Sequence, residues 1–295
     1  VITGRADVVA KSGFRRKILQ QSAQAQFDRL RKPIAVEFDP EGRILVTDWA
    51  SAALLRFDLD GRRMDVFGKT GAVRLKQPMG LEVAEDGRVF VADTGLAAVV
   101  SYDAEGELVA VYGSGGTLTN PTDAALTPDG TRLFVADSKA HRIVVFDVET
   151  ADQLFAFGTR GDGPGEFAWP TSLTFDSEGL LYVVDQINCR VQLFAADGEF
   201  EDEFGGRGAG FGQFTRPKDI AVDEAGIIYV TDNAFNNVQL FDNDFSLLTF
   251  IGVGGAAPGE FYGASGIAVQ GDRFAVVDQI GTRLQVFRFI ADKTD

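Results

Sequence analysis

Six aspartates mark a repeat that runs through almost the whole chain: Asp48, Asp93, Asp137, Asp185, Asp232 and Asp278 stand 45, 44, 48, 47 and 46 residues apart. Each closes a segment of one design: PIAVEFDPEGRILVTD, PMGLEVAEDGRVFVAD, PTDAALTPDGTRLFVAD, PTSLTFDSEGLLYVVD, PKDIAVDEAGIIYVTD and ASGIAVQGDRFAVVD. A unit of this length cannot bury its apolar faces alone, so its copies must stack on one another.

Inside each unit an apolar stretch such as Ile220-Ala221-Val222 leads through a glycine turn to a second, Ile228-Tyr229-Val230. After the aspartate and a polar turn comes a third strand, at 54–57, 99–102, 143–146, 191–194, 238–241 and 284–287. A second turn, Asp60-Gly61, Glu105-Gly106 or Asp197-Gly198, leads to a fourth strand ending at Phe67-Gly68, Tyr112-Gly113, Phe157-Gly158, Phe204-Gly205 or Ile251-Gly252. β-branched and aromatic residues fill the strands and turn formers punctuate them. Four strands per unit of about 46 residues predict an all-β chain, a six-bladed β-propeller of four-stranded antiparallel blades.

The two ends of the chain predict how the ring closes. The sixth unit stops after its third strand at Phe287, with eight residues left. Lys17-Ile18-Leu19-Gln20 is a spare strand candidate: Leu19 lies 14 residues before Pro33, as Phe204 lies 13 before Pro217. Residues 16–21 are therefore expected to pair as the outer strand of the last blade and remove an open sheet edge. The domain reading is an N-terminal arm at 1–13 and a single propeller at 14–295.

Charge narrows the partners. The net charge is −15, which repels a phosphate backbone and excludes nucleic acid as the expected ligand. Residues 1–33 run the other way: eight basic side chains face only Asp7 and Asp28, leaving that segment about +6 and the remainder about −21. Such an arm either docks on the acidic body or reaches a partner or anionic lipid. No apolar run approaches bilayer length. Cys189 and His141 are the only residues of their kinds, so no disulfide and no cysteine-based metal site is available. Thirty-four glycines fit many tight turns, and 45% apolar residues exclude a solvated coil.

With these features placed, the repeat resembles the NHL repeat over roughly residues 14–290. The Phe-Gly ending, the glycine loop, the Gln/Glu-Phe-x-x-Pro step (Glu166-Phe167…Pro170, Gln213-Phe214…Pro217) and the run Asp185-Gln-Ile-Asn-Cys-Arg190-Val191-Gln-Leu-Phe194 carry the likeness. Ala53 and Ala98 depart from it, standing where other units have Arg142, Arg190 and Arg283. The resemblance implies the fold and leaves function to the site. Zinc lyases of NHL type need several histidines, which this chain lacks. Related six-bladed lactonases and esterases hold calcium in the central channel on oxygen ligands alone.

Counting from each proline position, residues two and four along the first strand share a face. That places Glu37, Glu82, Asp123 and Asp219 on the axial side of four blades, as candidate Ca2+ ligands or as acids in a wet channel. The repeating aspartates are expected to hold turns by accepting backbone N–H groups, with an arginine five residues on as partner. Cys189 beside Arg190 is a candidate for a lowered thiol pKa. Trp49 and Trp169 in loops, with Lys218 near the axis, are the binding candidates. No nucleophile motif is present. The expected function is therefore a non-catalytic scaffold or accessory subunit that binds a protein or peptide, without cofactor. A calcium-dependent lactonase or esterase is the alternative. The resemblance to exported bacterial NHL-type proteins, with Val1 rather than methionine first, makes a periplasmic or extracellular location the expectation.

Overall fold

The computed structural model describes residues 5–7, 16–20 and 30–291. Among them are six antiparallel four-stranded blades and, as the only helical element, one turn of 3-10 helix at Ser138–Ala140. Blade 1 runs outward through Pro33–Phe38, Ile44–Asp48, Ala53–Asp58 and Arg63–Phe67, and the next four blades repeat this order. The first strands lie against one another all the way round, including blade 6 on blade 1, so the ring is closed about a central channel.

Blade 6 is built from both ends of the chain, as expected. Ala264–Gln270, Arg273–Asp278 and Arg283–Ala291 come from the C-terminal end, and Arg16–Gln20 pairs antiparallel with Arg283–Ala291, from Arg16 opposite Ala291 to Gln20 opposite Phe287. Arg5–Asp7 adds a fifth strand outside it. The rest of the expected arm lies outside the described residues.

The core follows from the repeat. Second strands such as Ile44–Asp48 and Leu181–Asp185 are buried at every position, which explains why they read as continuous apolar runs. Six apolar clusters each join two neighbouring blades; the one that seals the ring packs Val36, Ile44 and Val46 of blade 1 on Ala268, Ala275 and Val277 of blade 6. Phe167, Phe214 and Phe261 are fully buried where loops cross between blades 3 and 4, 4 and 5, and 5 and 6. Each packs on the glycine that ends the preceding blade. Gly158 has φ +90, and a Cβ there would lie 2.4 Å from the Phe167 ring, so glycine is required on both counts. Glu166, Gln213 and Glu260 cap these loops by accepting the N–H of Gly163, Gly210 and Ala257. They are loops between blades.

The register fixes two ends of the disc. Pro33 pairs with Asp48 and Asp48 with Ala53, so first strands start and second strands finish at the same end, together with the loops between blades. The hairpin turns such as 39–43 and 58–62 lie at the opposite end. All six repeating aspartates are fully buried at the loop end. Each accepts backbone N–H groups from the preceding loop, as Asp93 does from Lys76 and Gln77, and five of the six also hold their own turn through backbone or side-chain N–H, as Asp93 does from Gly95 and Leu96. Asp137, Asp185 and Asp278 also pair with Arg142, Arg190 and Arg283. Their role is structural. No helix among the described residues is long and apolar enough to cross a membrane.

Candidate functional site

The first strand of every blade carries a β-bulge just after its first residue, for example between Pro121 and Asp123 and between Pro217 and Ile220. A bulge re-aims side chains at a sheet edge. Here it turns the first two residues after the proline position toward the axis, so both rings line the channel mouth at the loop end. A cavity of about 140 Å³ opens there. Trp169, Lys218, Asp123 and Asp219 are among its walls, together with Thr122, Thr171, Ser172, Gln186 and Gln279. Strict alternation along the strand missed the threonines, and the glutamines that follow Asp185 and Asp278 carried no motif. The bulge is the missing signal, and it becomes visible only when the strands are paired.

The two aspartates of the mouth are tied down. Asp219 Oδ2 accepts the N–H of Ile267 in the next blade at 2.8 Å; Oδ1 accepts Ile220 N–H at 2.9 Å and the Ser172 hydroxyl at 2.5 Å from the blade before. Asp123 Oδ2 accepts Leu173 N–H of the next blade at 3.1 Å. Its other oxygen lies over Gly80, where a Cβ would stand 1.9 Å from it. These carboxyls are staples between inner strands. Side-chain bonds to neighbouring backbone add to them: Thr231 to Ser265 O at 2.6 Å, Gln186 to Pro217 O at 3.1 Å, and Ser265 to Ile34 O at 3.0 Å across the seam.

Glu37 and Glu82 sit two residues further along their strands, about 7 Å deeper at the usual strand rise, and do not line the mouth. They are half-buried by area because the lumen itself admits solvent, yet protein surrounds them and desolvation dominates their titration. Burial first, then Glu82, Asp219 and Asp123, holds Glu37 well above the usual carboxylate range. Burial lifts Glu82 to about 8 and Asp219 to about 6, and burial with Asp219 lifts Asp123 well above its ordinary value.

The four acids thus feel one another through one channel. Among the described residues no group of three His, Cys, Asp or Glu side chains comes together to hold a metal ion. Asp123 and Asp219 stand at the mouth, with oxygens engaged in the staples, and Glu37 and Glu82 lie deeper in the channel.

Trp169 stands at φ +74, a strained value for a residue with a Cβ. His141 holds it there: Nδ1 accepts the Trp169 N–H at 3.3 Å and the rings meet edge-on, 6.3 Å apart. The lone histidine is thus a positioning residue, which its place in a turn did not reveal. Lys218 is half-buried beside the mouth, its pKa lowered by burial and then by Arg216. Trp49 stands apart from this cavity, its ring covered by Lys32 Nζ at 4.2 Å. Cys189 corrects an expectation: burial pushes its thiol up rather than down, and Arg190 is engaged by Asp185 and Glu203.

No family model and no curated protein matches the chain. Among solved structures it is similar to a gluconolactonase from Xanthomonas campestris, at 18% identity over 97% of this chain and 95% of that one, with a TM-score of 0.71. It is also similar to virginiamycin B lyase from Staphylococcus aureus, at 13% identity over 98% and 96%, TM-score 0.66. Hydrazine synthase from Kuenenia stuttgartiensis aligns at 13% identity over 91% and 98%, TM-score 0.64. These likenesses show the six-bladed propeller fold.

Proposed function

We propose that this chain is an NHL-type propeller serving as a non-catalytic scaffold or accessory subunit, with the channel mouth at the loop end receiving a segment of a protein or peptide. One observation carries the reading: the acids at the mouth are committed to stapling inner strands, while Trp169 and Lys218 stand over an open cavity. A rigid aromatic beside a long cation is the composition of an interface anchor rather than of a reacting centre. A periplasmic or extracellular site of action belongs to the same proposal.

Affinity capture from the native source with wild-type protein and with the double variant W169A/K218A tests it. A stoichiometric partner is expected with the first and lost with the second. The rival reading, hydrolysis of a lactone or ester assisted by calcium, rests on the channel acids and on the fold likeness to a gluconolactonase. Chelator-sensitive turnover of gluconolactone or a small ester by the purified chain would establish the rival and sink the scaffold.

A further inference from the structure

The two ends of the disc carry opposite charge. At the hairpin end the turns are rich in acids, among them Asp39, Glu41, Asp86, Asp103, Glu105 and Glu149, and Arg43 and Arg88 there pair with such acids. At the loop end the exposed charges are basic: Arg31, Lys32, Lys76, Lys139, Arg207 and Arg216, none of which makes an ion pair among the described residues. Asp162 is an exposed acid on the loops of that end, while Glu166 and Glu260 are half-buried as loop caps.

Apolar exposure is just as uneven. Ile187, Phe211, Val253, Tyr262 and Ile280 are each more than half exposed, Phe211 at 88%, and all five lie on the loops and turns of the loop end in blades 4, 5 and 6. The remaining exposed large apolar residues, such as Val109 and Phe250, are on outermost strands. Loop-end cations thus surround the mouth, and on one half of it bulky apolar side chains stand among them. Grouped exposed side chains of this size mark a contact surface.

Resting on the scaffold reading, we infer that the partner segment is an acidic peptide with bulky apolar residues. It lies across the loop end over blades 4–6, beside the mouth that Trp169 and Lys218 flank. Charge complementarity selects acid over base, because the unpaired cations meet an anionic segment while the hairpin end repels it. The recessed mouth selects a peptide over a lipid surface, since a side chain can enter a cavity of about 140 Å³ and a flat bilayer cannot. The aliphatic Ile187, Val253 and Ile280 select peptide over RNA, whose bases stack on aromatic faces.

The test uses fluorescence anisotropy with three labelled dodecapeptide pools of fixed composition: Glu with Leu and Phe, Lys with Leu and Phe, and Glu with Gly and Ser. The first pool is expected to bind best, at least tenfold above the second and several-fold above the third. Its affinity should fall at least tenfold from 50 to 500 mM salt as the screening length shortens. R207E/R216E should abolish the preference for the acidic pool, and F211S/I280S should bring the first pool down to the third. E105K, at the hairpin end, should change neither. Equal binding of the Lys pool, or a larger effect of E105K than of R207E/R216E, overturns the inference. So does Phe211-dependent sedimentation with phosphatidylglycerol vesicles, or a single-stranded RNA that outcompetes the peptides. If no pool binds while W169A/K218A still loses a captured partner, this inference fails and the scaffold reading stands.

Discussion

Removing the carboxylate of Asp185 should cost far more than removing that of Asp93, although both close the same step of the repeat. Asp185 is fully buried and accepts Ala168 N–H at 2.8 Å, Asn188 Nδ2 at 2.7 Å and Arg190 Nε at 3.1 Å. Arg190 is itself 8% exposed, and its other nitrogens reach Glu203, Gly163 O and Glu166 O. D185A therefore takes one of two carboxylates from a nearly buried guanidinium and leaves Ala168 and Asn188 without their acceptor, a loss of about 3–5 kcal/mol. Asp93 accepts N–H groups from Lys76, Gln77, Gly95 and Leu96, and its unit has Ala98 in place of the arginine. Lys76 and Gln77 are exposed, so water can replace the lost acceptor there, and D93A should cost roughly 1–3 kcal/mol.

Urea denaturation followed by circular dichroism measures both. A double-mutant cycle with R190A isolates the pair, and a coupling of about 1–3 kcal/mol is expected. Equal losses for D185A and D93A, or a cycle that closes at zero, would refute the account of why three units keep the arginine and three, with Ala53, Ala98 and Asn237, do without it.

The channel acids make stability depend on pH. Their folded-state pKa values lie above the unfolded value near 4, so their contribution is complete below that value and is lost as pH rises through about 6 for Asp219 and about 8 for Glu82. The urea midpoint should fall between pH 5 and pH 8.5, and E82Q should flatten that slope; an unchanged slope would show that another group sets it. Gly266→Ala should destabilise by about 1–3 kcal/mol through overpacking, because a Cβ there would lie 2.7 Å from both Ala35 Cα and Ile34 O at the seam. A melting temperature equal to wild type would contradict this. Deleting residues 1–21 removes Arg16–Gln20 from blade 6 and should lower the melting temperature and promote aggregation through the bared edge of Arg283–Ala291. A monomer as stable as the full chain would count against closure by that strand.

Much of the architecture was legible because it is repeated. Asp48 through Asp278 announce the period, and each signals the same turn, so six weak local signals reinforce one another. Leu19 could be placed in the last blade because a missing fourth strand leaves one open position and the register of Phe204 supplies the spacing. The site was less legible because it depends on what differs between units. Period-two reasoning found Asp123 and Asp219 but counted them as open acids. Their use as staples depends on Leu173 and Ile267, residues of other blades whose proximity exists only in the closed ring. Thr122 and Thr171 face the mouth through a bulge that leaves no mark in residue type. His141 acts on Trp169, 28 residues away, through a backbone N–H that no side-chain pattern encodes. The charge division between the two ends is written in the turns, but it can be read only once strand direction assigns each turn to an end.

The seam in blade 6 also constrains when the molecule can form. Blades 1 to 5 are complete within the first 251 residues, so a nascent chain can assemble them in order while synthesis continues. Arg16–Gln20 must meanwhile wait until Arg283–Ala291 has been made. The toroid therefore locks in one late step that joins two segments separated by five intervening blades.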